Sequence, residues 1–179
     1  MLRATKEMEL SSLLNYMDSG NRRTRLEDIE RIAKNVLHDA EKDRDYMLAS
    51  LAHEALGRVF FERNLFTAAL AQFKEALNIL GRMNRGESMD EIVAKLNVWI
   101  GLSALRSNDF REAVDALSRA IRILDKAGEY HIIGELKALL GDAQSYLSPD
   151  KAVSSFEEAH EAMQRYPSPL FISNAMKLF

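Results

Sequence analysis

The chain contains no cysteine among its 179 residues, and this absence removes several classes of protein at once. It excludes a disulfide framework, a thiolate metal site and a cysteine nucleophile, and it is consistent with a reducing compartment. No run of 18 consecutive apolar residues occurs, so the sequence predicts no membrane-spanning helix. The first residues mix acidic and basic side chains and lack a continuous apolar stretch, so we expect no signal peptide. These absences favour a cytoplasmic protein that does not associate with membranes.

Proline is also scarce, and the chain has no surplus of positive charge. Only 3 prolines are present, all between Pro149 and Pro169, and alternating strand-like patterns are missing. Apolar residues instead recur every three or four positions along most of the chain, which is the spacing of amphipathic helices. The net charge is −3, whereas a protein that binds nucleic acid usually carries a basic surplus. The sequence therefore predicts an all-α fold and no nucleic-acid partner.

Capping signals mark where the helices begin. Three segments carry a small polar residue followed three positions later by Glu, so that each side chain can bond a backbone N–H of the first turn: Thr24–Glu27, Ser88–Glu91 and Asp109–Glu112. Pro149 and Pro169 each follow a serine and suit the first helical position. We predict helices at about 3–18, 25–43, 46–63, 66–82, 89–107, 110–127, 130–147, 149–165 and 169–178.

An internal repeat links these helices into pairs. The first helix of a pair contains an apolar residue followed by glycine, and the second contains Ala, a large apolar residue four positions later, and Ala three positions after that. The three copies are Gly57 with Ala69/Phe73/Ala76, Gly101 with Ala113/Leu117/Ala120, and Gly141 with Ala152/Phe156/Ala159. A fourth copy of the second-helix pattern, without the glycine, is Ala33/Leu37/Ala40.

The repeated glycine needs a physical reason, because glycine inside a helix costs about 1 kcal/mol relative to alanine. Two helices can approach closely where one has no side chain, and the alanines of the facing helix open a complementary groove. We expect the large residue between the alanines to fill the space toward the next hairpin. No single hairpin buries its apolar face alone, so several must stack.

At these positions the sequence resembles the tetratricopeptide repeat family, over about residues 25–165. The resemblance implies a right-handed array of about four helical hairpins, which we place at 3–43, 46–82, 89–127 and 130–165 in one domain covering 1–179. A short C-terminal helix at 168–178 would cap the array, with its apolar residues on the 149–165 helix: Leu170, Phe171, Ala175 and Leu178.

The sequence departs from the family pattern at several places. The usual tryptophan of the first helix is replaced by His53, Asn97 and Lys137, and the usual tyrosine after the glycine by Phe60, Ala104 and Gln144. The glycines are 44 and then 40 residues apart, and the third copy has a turn one residue shorter. The long spacing resembles extended variants found in bacterial regulators and sensor arrays.

The sequence contains no recognisable catalytic pattern. His53 and Glu54 begin like the helix motif of a zinc protease, but Gly57 stands where the second histidine would be. The acidic stretch after His38 lacks the glycine of a calcium loop. The cluster Arg22, Arg23 and Arg25 is interpreted as a solvated turn. We expect no enzyme activity and no catalytic, cofactor-binding or metal site.

The remaining candidate is the surface formed by the first helices, which line the concave face of such arrays. In the family, chaperone-binding members hold a carboxylate there, but the matching positions here are Glu54, Trp99 and Ala138, so that clamp is absent. The predicted partner-binding surface combines large apolar residues from the first helices of the second and third hairpins with two arginines at its rim. Its members are Arg58, Phe61, Val98, Trp99, Leu102, Leu105 and Arg106.

These sequence features favour a non-enzymatic scaffold or adaptor that binds another protein or peptide as a helix or extended segment. Two alternatives stay open: a ligand- or peptide-sensing domain of a bacterial signalling regulator, and a secretion-type chaperone. A homodimer is also compatible with the sequence. The same surface residues could instead be core between hairpins, and the sequence favours neither interpretation.

Overall fold

The computed structural model describes residues 2–18, 26–83 and 89–167, which form α-helices joined by short turns, without a strand in those ranges. The helices are α1 (Leu2–Asp18), α2 (Leu26–Asp43), α3 (Tyr46–Glu62), α4 (Phe66–Gly81), α5 (Asp90–Arg106), α6 (Phe110–Ala127), α7 (Tyr130–Ser145) and α8 (Pro149–Arg165). The predicted all-α fold of helices packed on their sequence neighbours is confirmed. Three predicted features lie outside the described residues: the cap at 168–178, the beginnings of the capping pairs at Thr24 and Ser88, and the arginine cluster.

The chain divides into two compact units, Met1–Arg85 and Gly86–Phe179. In the first unit, α3 pairs with α4, α2 packs on α3, and α1 contacts both α2 and α3. In the second unit, α5 pairs with α6, α7 pairs with α8, and α6 packs on α7. That 1–179 forms a single domain, and that the array is right-handed, stay predictions.

The repeated glycines lie where the two helices of a hairpin touch. A Cβ placed on Gly57 would lie 2.6 Å from Cε1 of Phe73, and one on Gly101 would lie 2.7 Å from Cγ of Leu117. On Gly141 it would lie 2.9 Å from Cδ1 of Phe156. The large residue of the repeat therefore fills the space above the glycine of its own hairpin, where we had expected it to reach toward the next hairpin.

A second position of close approach lies two helical turns before each glycine. Ser50, Ala94 and Gly134 are all buried there. Ser50 Oγ donates a hydrogen bond to the Ala76 carbonyl at 3.1 Å. A Cβ on Gly134 would lie 2.7 Å from Met163 Cγ. The hairpins of α3 and α7 are thus in contact at a second point through small residues, and α5 has a buried alanine at the equivalent position.

The core of the first unit is built from α1, α2 and α3. Leu10, Leu14 and Met17 of α1 are buried with Ile29, Ala33, Val36 and Ala40 of α2 and with several residues of α3, and Ile79 of α4 joins them. These α1 and α2 residues recur at three- and four-residue spacing, so each helix buries one apolar stripe. This cluster makes α1 part of the hydrophobic core.

Four of the five described turns between consecutive helices share one geometry. Each contains a residue with positive φ: Arg44 (56°), Asn64 (60°), Asn108 (61°) and Gly128 (77°). The next residue donates its N–H to the carbonyl five positions earlier, as from Leu65 to Phe60 at 2.9 Å. This left-handed ending satisfies carbonyls that a helix C-terminus leaves unpaired. Between α7 and α8, Ser148 donates to Gln144 only four positions earlier, which matches the shorter third copy of the repeat.

N-caps confirm part of the predicted boundaries. The side chain of Asp109 accepts a hydrogen bond from Glu112 N at 3.2 Å, as predicted for α6. The Glu112 carboxylate instead accepts from Arg119 Nη2 at 3.4 Å, so the reciprocal half of the capping box is not made. Asp45 caps α3 through Leu48 N at 3.2 Å, a cap that the sequence analysis missed. Pro149 occupies the start of α8 as predicted.

Candidate functional site

The seven predicted partner-binding residues belong to two helices, one in each unit. Two lie on α3 and five on α5, and their exposure differs. The buried members are Arg58, Phe61 and Leu102, and the half-buried members are Val98, Trp99, Leu105 and Arg106. The three apolar members that are not buried, Val98, Trp99 and Leu105, all lie on α5.

On α3, Phe61 is part of the hairpin packing. Its ring meets that of Phe66 on α4 edge to face, with 5.3 Å between centroids and an interplanar angle of 72°. Such pairs stabilise beyond the area they bury, by about 0.5–1.5 kcal/mol. Arg58 is only 6% exposed, whereas the predicted rim role requires an exposed guanidinium. Contact of either residue with a partner stays a prediction.

On α5, the predicted residues occupy neighbouring positions around a buried centre. Leu102 is 6% exposed and belongs to the core, so a charge at this position would disturb folding. Val98 and Leu105 lie four positions before and three positions after Leu102 and are half-buried, as is Trp99. Residues at these spacings share one side of a helix. The half-buried residues are the solvent-accessible part of the predicted surface.

Polar contacts join the first helix to the second at an equivalent position of three hairpins. Asn97 is buried, donates to the Val93 carbonyl at 2.7 Å, and accepts from Arg119 Nε at 3.0 Å. His53 Nδ1 lies 2.8 Å from Gln72 Oε1, and Lys137 Nζ donates to Glu158 Oε2 at 2.7 Å. A polar bridge from the first helix to the second is therefore a shared feature of the three hairpins.

The clearest electrostatic shifts occur at ion pairs between or along helices. Hydrogen bonds from Lys34 and Arg63 lower the pKa of Glu30 below its usual value, and the bond from Lys6 lowers the pKa of Asp39. Lys137 likewise lowers the pKa of Glu158. Each of these carboxylates is kept ionised at neutral pH and joins helices within one unit, which is a structural use of charge.

The described residues contain neither a metal-binding cluster nor a membrane-spanning helix. Over residues 2–18, 26–83 and 89–167, no group of three or more His, Asp or Glu side chains is arranged to hold a metal ion. His53 in particular is engaged with Gln72 across its own hairpin. The described helices include none that is long and apolar enough to span a bilayer.

Exposed aromatic residues at both ends of α7 form stacked pairs that the sequence analysis did not predict. Tyr146 stacks on Phe110 with 3.9 Å between ring centroids and an angle of 2°. At the other end, Tyr130 stacks on Tyr166 at 5.1 Å and 24°. The three tyrosines are exposed. They lie at or beside helix ends, where helical periodicity gives no warning that two aromatic rings will meet.

No protein-family model matches the chain, and no curated protein is similar enough in sequence to count as a relative.

Proposed function

We propose that this chain is a non-catalytic protein-interaction module of the tetratricopeptide repeat type. The observation that carries the proposal is the half-buried apolar surface of α5, formed by Val98, Trp99 and Leu105. Large apolar side chains that are left accessible on a folded domain are characteristic of sites that bind other proteins. The proposal includes a cytoplasmic location and a helical or extended polypeptide partner.

The repeat packing supports assignment to this type of module. Three hairpins have the same glycine-to-large-residue contact, and their first helices are joined to their second helices by polar bridges at equivalent positions. Stacked hairpins of this kind present extended surfaces for polypeptide ligands. Within the proposed surface, Trp99 is the anchor, because aromatic residues commonly dominate the energy of an interface.

Capture of partners from the native host, with identification by mass spectrometry, provides the test. Leu105→Arg should abolish capture of the specific partner and lower the circular dichroism melting temperature only modestly, because Leu105 is half-buried and its replacement removes part of its buried apolar surface. Trp99→Ala should weaken the complex by about 2 kcal/mol or more, which is roughly a thirtyfold loss of affinity. Arg106→Ala should chiefly slow association at low salt.

Two further variants separate binding from folding. Ser118→Arg places the same charge on the exposed side of α6 and should preserve both capture and stability. Leu102→Arg should collapse the melting transition, because that side chain is in the core. Retention of the partner by a folded Leu105→Arg variant would exclude α5 as the binding surface.

A further inference from the structure

The C-terminal end of α7 has an aromatic ring with one face covered and the other open. The rings of Tyr146 and Phe110 are parallel, with 3.9 Å between their centroids. Tyr146 is 63% exposed, whereas Phe110 is half-buried at the start of α6. Because Phe110 covers one face of the Tyr146 ring, the exposed area includes the opposite face. The quadrupole of an aromatic ring attracts a cation to such a face.

An exposed carboxylate, that of Asp142, lies one helical turn before this ring. Tyr146 keeps helical backbone angles (φ −85°, ψ −15°), so both side chains lie on the same side of α7. Asp142 forms no ion pair with another described residue. The residues that correspond to Asp142 in the other two hairpins, Arg58 and Leu102, are both buried. An exposed carboxylate beside an exposed ring is therefore particular to the third hairpin.

The charges around this helix end favour a positively charged ligand. Among the helices described from α2 to α8, α7 alone ends without lysine or arginine in its last turn or at its C-cap. The partial negative charge of a helix C-terminus attracts cations within about one turn. Asp109 directly precedes Phe110 and is a second exposed carboxylate, whereas Arg111 is the exposed cation that follows it. With Asp142, the two carboxylates outnumber this arginine.

From these features we infer that the C-terminal end of α7 binds an arginine side chain of another polypeptide. The planar guanidinium group stacks on the open face of Tyr146, and its N–H groups donate to the Asp142 carboxylate. A lysine fits less well, because its ammonium group is compact, strongly hydrated and unable to stack. Trp99 and Leu105 take no part in this site, so the inference does not depend on the proposed binding surface of α5.

Titration of the full chain with a blocked arginine tripeptide, followed by NMR, tests the inference. The amide signals of residues 142–147 should shift and saturate as the peptide binds. A citrulline peptide, which has nearly the same shape but no charge, should bind about threefold more weakly or less. Tyr146→Leu should weaken binding of the arginine peptide by about two- to fivefold, because the cation loses the aromatic face. Asp142→Asn should weaken it by about as much, because the ion pair is lost.

Tyr130→Leu is the matched control. Tyr130 is also an exposed tyrosine in a stacked pair, but it lies at the start of α7, where the helix end has a partial positive charge. This variant should leave the affinity for the arginine peptide unchanged, and Tyr146→Phe should preserve it because the ring remains. Equal affinities for the arginine and citrulline peptides, or equal losses in Tyr146→Leu and Tyr130→Leu, would overturn the inference. A lysine peptide that binds as tightly as the arginine peptide would overturn the assignment to arginine.

Discussion

At Gly101 a single added carbon would lie 2.7 Å from two atoms of Leu117, closer than side-chain atoms normally approach. Leu117 is fully buried, so it has little freedom to move aside. Gly101→Ala should therefore destabilise the protein by about 1–3 kcal/mol through overpacking, and Gly101→Leu by more. Urea unfolding followed by circular dichroism measures the change.

Gly81 provides the control for this prediction. It ends α4, and a Cβ added there would meet nothing within 4 Å. Gly81→Ala should leave stability unchanged or raise it by about 0.4–1 kcal/mol, by restricting the unfolded chain. Equal unfolding midpoints for the Gly101 and Gly81 variants would show that glycine is not needed for close approach of α5 and α6.

Residue identity explains why one contact position was predicted and the other was missed. The sequence repeats glycine itself at Gly57, Gly101 and Gly141, so the position is visible without a structure. At the second position only small size is shared, by Ser50, Ala94 and Gly134. No residue type repeats at this position, so the sequence gives no signal there, and the position became evident from the contacts of Ser50 and Gly134.

At the scale of the helix, matching turns differ in their caps. Leu65 and Asp109 precede α4 and α6 with nearly the same backbone angles, φ/ψ of −89°/62° and −87°/72°. Only Asp109 accepts a hydrogen bond from the first turn. Leu65→Asp should therefore supply the missing cap and stabilise by about 1 kcal/mol, whereas Asp109→Leu should destabilise by a similar amount.

Thermal melts of the two single variants check this prediction. Leu65 is about half exposed, so its replacement removes little buried apolar surface. Leu65→Asn, which can also cap a helix, should reproduce most of the gain without the negative charge. A lower melting temperature for both Leu65 variants would contradict the proposed cap.

Helix boundaries were well predicted because turn and cap residues act locally. The predicted and observed ends of α1 to α8 differ by no more than two residues, as at the end of α7, where Ser145 replaces the predicted 147. The sequence did not predict which residues of the predicted surface are buried and which are exposed. Whether Leu102 or Leu105 is buried depends on the helices packed around α5, and periodicity gives only the shared side of the helix.

For the whole molecule, stability should decrease in acid because of three carboxylates. Lysine and arginine partners lower the folded-state pKa values of Glu30, Asp39 and Glu158 below the reference values of 4.5, 3.8 and 4.5. The unfolded chain therefore takes up protons first as pH falls. The stabilisation is present above these reference values and is lost as pH falls through the folded-state pKa values.

Melting temperatures measured from neutral pH to about pH 2.5 test this dependence. The combined variant Glu30→Gln, Asp39→Asn and Glu158→Gln should melt lower at neutral pH and show a shallower decline below about pH 4.5. A control variant carries the same charge changes at exposed positions: Glu41→Gln, Asp43→Asn and Glu161→Gln. If the two combined variants had identical acid profiles, these ion pairs would not be the cause of the loss of stability in acid.

Arg44 has a left-handed backbone conformation, and this leaves room to increase the stability of the chain. At the equivalent two-residue turn between α6 and α7 the position is Gly128, which adopts positive φ without steric cost. Arg44→Gly should raise the unfolding free energy by about 0.5 kcal/mol, the steric relief exceeding the added freedom of the unfolded chain. Urea unfolding would measure this gain, and the opposite replacement, Gly128→Arg, should lower the unfolding free energy. A chain that retains arginine there has been selected to a sufficient stability and not to a maximal one, which leaves its turns as the natural targets for thermostabilisation.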